Sequence, residues 1–220
     1  MASDEAGPVR RVLRFLRHQP DRLLHPIRRR RLRRRLEALA RRPGEILFVC
    51  HGNVCRSPYA ELAFPRVIPA EARYDPTLRS AGFVGPGRSP PDTAIRVARR
   101  RGVELAAHRS SILTVAKVRR SELIVVMNAD QRRDVSTLYG AAVQGSAIVI
   151  LGDLDPERPR RRGIPDPYRG DDDAFAEAYA QIDRCLHELW AALGVIATEE
   201  VPGPAASLPP SPGPILPAAR

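Results

Sequence analysis

Lysine is all but missing from this chain: Lys117 is the only one among 36 basic residues in a sequence of 220. So strong an arginine bias reflects nucleotide composition as much as selection, and arginine counts alone say little about function. Cysteine is also scarce. Three cysteines, an odd number, do not make a disulfide scaffold, and they suit a reducing cytoplasm. No apolar run approaches the roughly 18 residues that span a bilayer. The N-terminus has no apolar core of a secretory signal. No His/Cys/Asp/Glu spacing suggests a metal site, so no metal or other cofactor is expected.

The net charge of +11 is unevenly spread. Residues 1–44 hold 14 arginines against Asp4, Glu5, Asp21 and Glu37, which leaves the remainder nearly neutral. In this extension Val9, Val12, Leu13 and Leu16, and later Leu32, Leu36 and Leu39, recur at helical spacing among arginines. Pro20 and Pro26 are expected to interrupt the helix. Basic amphipathic helices of this kind suit an anionic membrane surface. Nucleic acid is disfavoured, because neither interleaved aromatics nor metal-ligand spacing accompanies the charge. A loosely packed solvated helix is the plainer alternative.

From residue 45 the pattern changes. Ile46 to Val49 form a continuous apolar run, as in a buried parallel strand. The run ends at Cys50. A polar loop follows, His51, Gly52, Asn53, Val54, Cys55, Arg56 and Ser57, and Ser57-Pro58 reads as a helix N-cap and first turn. A loop between a buried strand and a helix N-terminus turns backbone N–H groups toward an anion of phosphate size. Cys50 would lie at its base, where that field stabilises the nucleophilic thiolate. Arg56 offers a two-pronged donor to phosphate oxygens.

Downstream, strands and helices alternate. Strands are expected at 77–82, 122–127 and 147–151, and helices at 91–101, 129–138 and 171–193, with a short helix or turn at 112–118. Pro65 should end the first domain helix early. This alternation predicts a parallel α/β sheet with ligands beyond the carboxyl ends of the strands, the end at which Cys50 lies. From Gly194 the chain is proline-rich and is expected to be a disordered tail. The organisation is therefore a basic extension at 1–44, a domain at 45–193 and a tail at 194–220.

A phosphate ester leaving as a phenol needs a proton. Asp-Pro pairs occur at Asp75, Asp155 and Asp166. Asp75 falls on the wrong edge of the sheet. Asp155 reads as a turn former, and Asp166 is favoured because Tyr168 offers an aromatic wall. His108 is expected to be a structural hydrogen-bonding residue and Cys185 a core thiol.

The stretch VCHGNVCRSPYAE resembles the active-site loop of the low-molecular-weight protein tyrosine phosphatases, and SAG at 80–82 and IPDPY at 164–168 resemble two further landmarks of that family. The resemblance implies a three-layer α/β/α fold with a four-stranded parallel sheet in flavodoxin-like order. It also implies hydrolysis of phosphotyrosine through a cysteinyl-phosphate on Cys50, with Asp166 as general acid and base and residues 51–57 holding the phosphate. By the same resemblance, Ser57 would donate to the Cys50 sulfur, Asn53 would hold the loop's shape, and Cys55 would be either a redox partner of Cys50 or simply a small buried residue. Phe83 and Tyr168 would line the substrate slot, although Phe83 directly follows SAG and Arg169 replaces a second tyrosine. The substrate would be a phosphotyrosyl protein, by analogy a tyrosine kinase of polysaccharide export. The enzyme would be cytoplasmic, with residues 1–44 at the inner membrane surface.

Three rivals are weaker. An arsenate reductase needs further cysteines, and residues 77–111 contain none. Protein-arginine phosphatases carry threonine where this chain has Val54. An idle phosphate-binding module tethered by the basic arm would have no need of intact Cys50, Arg56 and Asp166.

Overall fold

The computed structural model describes residues 8–39, 42–72, 74–159 and 162–194, with side chains from residue 21 onward. The expected tail lies outside the described residues apart from Gly194. In chain order the elements are α1 (Pro8–Glu37), β1 (Glu45–Cys50), α2 (Arg56–Ala63), a 3-10 turn (Phe64–Val67) and β2 (Thr77–Gly82). Then come α3 (Asp92–Arg100), α4 (Val115–Arg120), β3 (Leu123–Val126), α5 (Ala129–Tyr139), β4 (Ala147–Ile150), a second 3-10 turn (Leu151–Leu154) and α6 (Asp172–Gly194).

The four strands pair in parallel in the order β2-β1-β3-β4, the doubly wound arrangement expected. Alternation along each strand sorts the core into two layers. Ile46, Phe48 and Cys50 of β1, with Leu123 and Val125 of β3 and Val149 of β4, face the side covered by α1, α2, α3 and α6. Leu47, Val49, Ile124, Val126, Ile148 and Ile150 face the layer containing Leu113, Val118 and Val135. Because β1 is central, its carboxyl end is flanked by strands on both sides, and Cys50 sits at that end.

Two departures from expectation concern α1 and α2. Neither Pro20 nor Pro26 breaks α1, which is continuous from Pro8 to Glu37. A proline removes a single N–H donor, and Pro26 lies on the exposed side, where water can take the freed carbonyl. As expected, α2 is short, and Pro65 falls in the 3-10 turn that ends it. Its cap, however, is Cys55 rather than Ser57, which lies one residue inside the helix.

Packing crosses the change in charge at residue 44. Leu36 is fully buried in the core, with Leu32 and Leu39 against it. His25, also buried, places Nε2 2.8 Å from the Asp155 carbonyl oxygen. Arg29 donates to the Leu154 carbonyl (3.2 Å) and pairs with Glu188 of α6 at 2.6 Å. Thus α1 docks on α6 and on the turn that follows β4.

Candidate active site

The loop between β1 and α2 is held by Asn53. Its φ of 51° is left-handed, a conformation that asparagine tolerates better than most residues. The side chain is completely buried. Its Nδ2 donates to Ser57 Oγ (2.9 Å) and Ser80 Oγ (2.8 Å), and its Oδ1 accepts from the Ser111 N–H (2.6 Å). One amide thus joins the start of α2, the end of β2 and the segment before α4. His108 adds a contact from its Nε2 to the Asn53 carbonyl oxygen at 2.9 Å, the structural role expected of it.

Cys50 Sγ accepts two hydrogen bonds, from the Asn53 N–H at 3.2 Å and from the Ser57 hydroxyl at 3.0 Å. Two donors are thus aimed at one sulfur. Ser57, freed from capping, is oriented in turn by Asn53. Ser80 Oγ reaches Glu61 Oε2 at 2.5 Å, and burial raises the Glu61 carboxyl above its usual range.

The loop needs room at Gly82. A Cβ there would lie 2.7 Å from Asn53 N and 2.8 Å from His51 O, distances no real side chain accepts. The Phe83 N–H donates to the His51 carbonyl at 2.8 Å. The SAG landmark is therefore a packing requirement of the loop.

Arg56 is buried to 2% exposure. Nη1 donates to the Ile164 carbonyl (3.2 Å), Nη2 contacts Asp166 Oδ2, and the buried Nε has no partner among the described residues. Asp166 is itself half exposed, and its Oδ1 accepts from the Tyr168 N–H. Cys50, His51, Gly52, Val54, Cys55, Arg56, Arg88, Asp166 and Tyr168 enclose a cavity of about 60 Å³. Beside it opens a cleft of about 620 Å³, whose walls include His51, Asp130, Asp134, Asp166 and, from α1, Asp21.

The structure thus brings together Cys50, residues 51–57, Asp166 and Tyr168. It does not bring Phe83 there. Phe83 keeps the strand alternation of Ala81 and packs into the opposite layer, because a residue directly after the strand has no slack to turn away. The cavity wall comes instead from Arg88, missed in the sequence. Its Nη2 donates to the carbonyls of Gly52 (2.8 Å) and Val84 (3.0 Å), and its Nε to that of Gly85 (2.9 Å). In so arginine-rich a chain no sequence signal singles it out.

Asp155 is buried and bound bidentately by Arg184 of α6 at 3.0 and 3.1 Å, which fits its reading as a structural residue. Cys55 is buried beside Cys50, and desolvation, reinforced by Cys50 and Asp166, pushes its thiol up to about 12. Cys185 is buried in the core, and burial drives its thiol well above the usual range. Behind the site, Tyr59 of α2 and Tyr179 of α6 stack at 3.8 Å, and the Tyr59 hydroxyl donates to Asp183 at 2.9 Å.

Residues 45–197 match the sequence model of a family described as low molecular weight phosphotyrosine protein phosphatase. The low molecular weight protein-tyrosine-phosphatase Etp of Escherichia coli is 34% identical over 149 residues, covering 67% of this chain and 93% of Etp. Among solved structures, the tyrosine phosphatase Wzb from Escherichia coli, in complex with sulphate, superposes with a TM-score of 0.60 at 30% identity, covering 69% of this chain and 99% of its own. The YwlE arginine phosphatase from Geobacillus stearothermophilus superposes with a TM-score of 0.59 at 25% identity, covering 69% of this chain and 94% of its own.

Proposed function

The chain belongs to the low molecular weight phosphotyrosine protein phosphatase family, and on that premise we propose Cys50 as its nucleophile, Arg56 as its phosphate ligand and Asp166 as its proton donor. It is a protein-tyrosine-phosphatase, a hydrolase of phosphoric monoesters. The observation that carries the assignment of roles is the double hydrogen bond to Cys50 Sγ, made at the floor of a cavity that Arg56 and Asp166 also line.

In the first step Cys50 Sγ attacks phosphorus in line. The S–P bond forms as the P–O bond to the tyrosine ring breaks, and Asp166 gives its proton to the departing phenolate oxygen. Arg56 and the loop amides hold the equatorial oxygens. In the second step water attacks phosphorus, Asp166 takes its proton, and the S–P bond breaks to leave inorganic phosphate and the thiolate. The Ser57 hydroxyl stabilises that thiolate as it departs. Because Arg56 also contacts Asp166, one guanidinium sets both phosphate binding and acid placement.

Val54 and Tyr168 provide an aliphatic and an aromatic wall, which favours an aryl ester over a phosphoguanidinium. The substrate is then a phosphotyrosyl protein, and a tyrosine kinase of polysaccharide export is the one we place first. Among the described residues no helix is long and apolar enough to cross a membrane. We assign residues 1–44 to contact with an anionic inner membrane surface, with the enzyme on its cytoplasmic side. Cys55, adjacent to Cys50 in the cavity wall, is its proposed redox partner.

Leaving-group dependence tests the acid. Phenyl phosphate departs as a basic oxyanion and needs the proton; nitrophenyl phosphate needs it less. Asp166→Asn should slow phenyl phosphate far more than nitrophenyl phosphate, and Asp155→Asn should lower stability without that bias. The reverse pattern would remove Asp166 from the mechanism. Cys50→Ser, measured alongside, should abolish turnover of both substrates, and near-normal rates would dismiss the covalent route.

A further inference from the structure

The described part of α1 has two unlike sides. His25, Leu32 and Leu36 point to one side, which α6 and the turn after β4 occupy. The opposite side carries Leu23, Leu24 and Ile27, followed by Arg30, Arg31 and Arg34. At about 100° per residue these six fall within an arc of roughly 120°. Leu23, Leu24 and Ile27 are 68%, 44% and 60% exposed, three large aliphatic side chains within about a turn and a half. The arginines beyond them are exposed as well. The described acids of the helix lie off this arc and are paired, Asp21 with Arg28 and Glu37 with Arg33. In the sequence Leu16 and Val9 precede Leu23 at steps of seven.

We propose that this arc is a docking surface for an anionic lipid bilayer, with Leu23, Leu24 and Ile27 entering the acyl boundary and Arg30, Arg31 and Arg34 among the lipid phosphates. The proposal rests on the reading of residues 1–44 as a membrane-facing arm and assigns it specific side chains. Charge complementarity selects the occupant. A nucleic acid would engage the arginines and leave three solvated aliphatic side chains without a partner, whereas an interfacial helix uses both kinds of residue together. The opposite side of α1 is bound to the domain through Leu36, His25 and the Arg29–Glu188 pair, so the contact holds the catalytic domain as a rigid body.

The test is sedimentation of the full chain with vesicles of half phosphatidylglycerol and half phosphatidylcholine. The wild-type chain should co-sediment, and rising salt should release it. Replacing Arg30, Arg31 and Arg34 by Gln should weaken binding about a hundredfold, roughly a factor of five per charge near the surface. Leu23→Glu with Ile27→Glu should weaken it at least as much. Turnover of nitrophenyl phosphate should be unchanged in both variants, which keeps folding out of the comparison. No sedimentation of the wild-type chain at low salt would overturn the arm reading itself. Sedimentation undiminished in both variants would leave that reading standing and overturn the assignment to this arc. Tighter binding to a DNA duplex than to vesicles, lost with the arginines but kept with Leu23→Glu and Ile27→Glu, would overturn the lipid in favour of nucleic acid.

Discussion

Asn53 offers the sharpest test of how the phosphate loop is built, because its two contributions can be separated by paired substitutions. Asn53→Gly keeps a backbone at ease with a φ of 51° and deletes the three side-chain hydrogen bonds to Ser57, Ser80 and Ser111. At about 1 kcal/mol each this costs roughly 3 kcal/mol. Asn53→Ala deletes the same bonds and adds the left-handed penalty, a further cost of about 1–2 kcal/mol. Urea unfolding reads both. With a slope near 2 kcal/mol per molar, the glycine variant should shift the midpoint down by about 1.5 M, with alanine lower still. Catalysis should fall as well. Ser57 loses the donor that orients its hydroxyl toward Cys50 Sγ, and a hydrogen bond to a charged group is worth about 1.5–3 kcal/mol. The turnover number should therefore drop by about ten- to a hundredfold. A glycine variant as stable as wild type, or an alanine variant more stable than the glycine one, would refute this reasoning.

Two further outcomes follow from burial. Leu36 lies outside the segment matched to the family, yet it is fully buried; Leu36→Ala should cost about 2–5 kcal/mol, and an unchanged melting temperature would mean that α1 does not share the core. Cys55 keeps its proton in the folded state to about pH 12, whereas its ordinary value is 9.0. The unfolded thiol ionises first as pH rises, so stability present below about pH 9 is lost between pH 9 and 12. Cys55→Ala should lessen that fall in urea unfolding followed against pH, and an identical slope in both chains would show that Cys55 does not contribute.

Much of this was legible in the sequence where a single local rule governs. The apolar run at 46–49 could only be a buried strand, and strict alternation across three core strands needed nothing beyond the pleat. Cys50 and Arg56 were legible from the loop between a buried strand and a helix N-terminus, Asp166 from the Tyr168 that follows it, and Asn53 only through the family resemblance. The misses arose where a residue had two uses of similar energy. Ser57 before Pro58 is a good cap by local chemistry, yet the cap position falls to Cys55, while the Ser57 hydroxyl donates to the Cys50 sulfur at 3.0 Å, the contact that the family resemblance implied. Phe83 is an aromatic near the site in sequence, but the pleat sends it to the far layer. Pro26 is a helix breaker by propensity, and α1 tolerates it where the domain anchors the helix on the other side. Arg88 was lost among its own kind.

The joint at Asp155 has a consequence for how the molecule opens. Its carbonyl lies against His25 of α1 and its carboxylate holds Arg184 of α6, while the chain leaving it runs on to Asp166. Three segments distant in sequence therefore share one fastening, and none can fray without loosening the others. Local opening should then be cooperative, with α1, the turn after β4 and α6 exchanging their amide hydrogens as one unit, while the central strand and the Asn53 hub keep theirs until the whole sheet gives way.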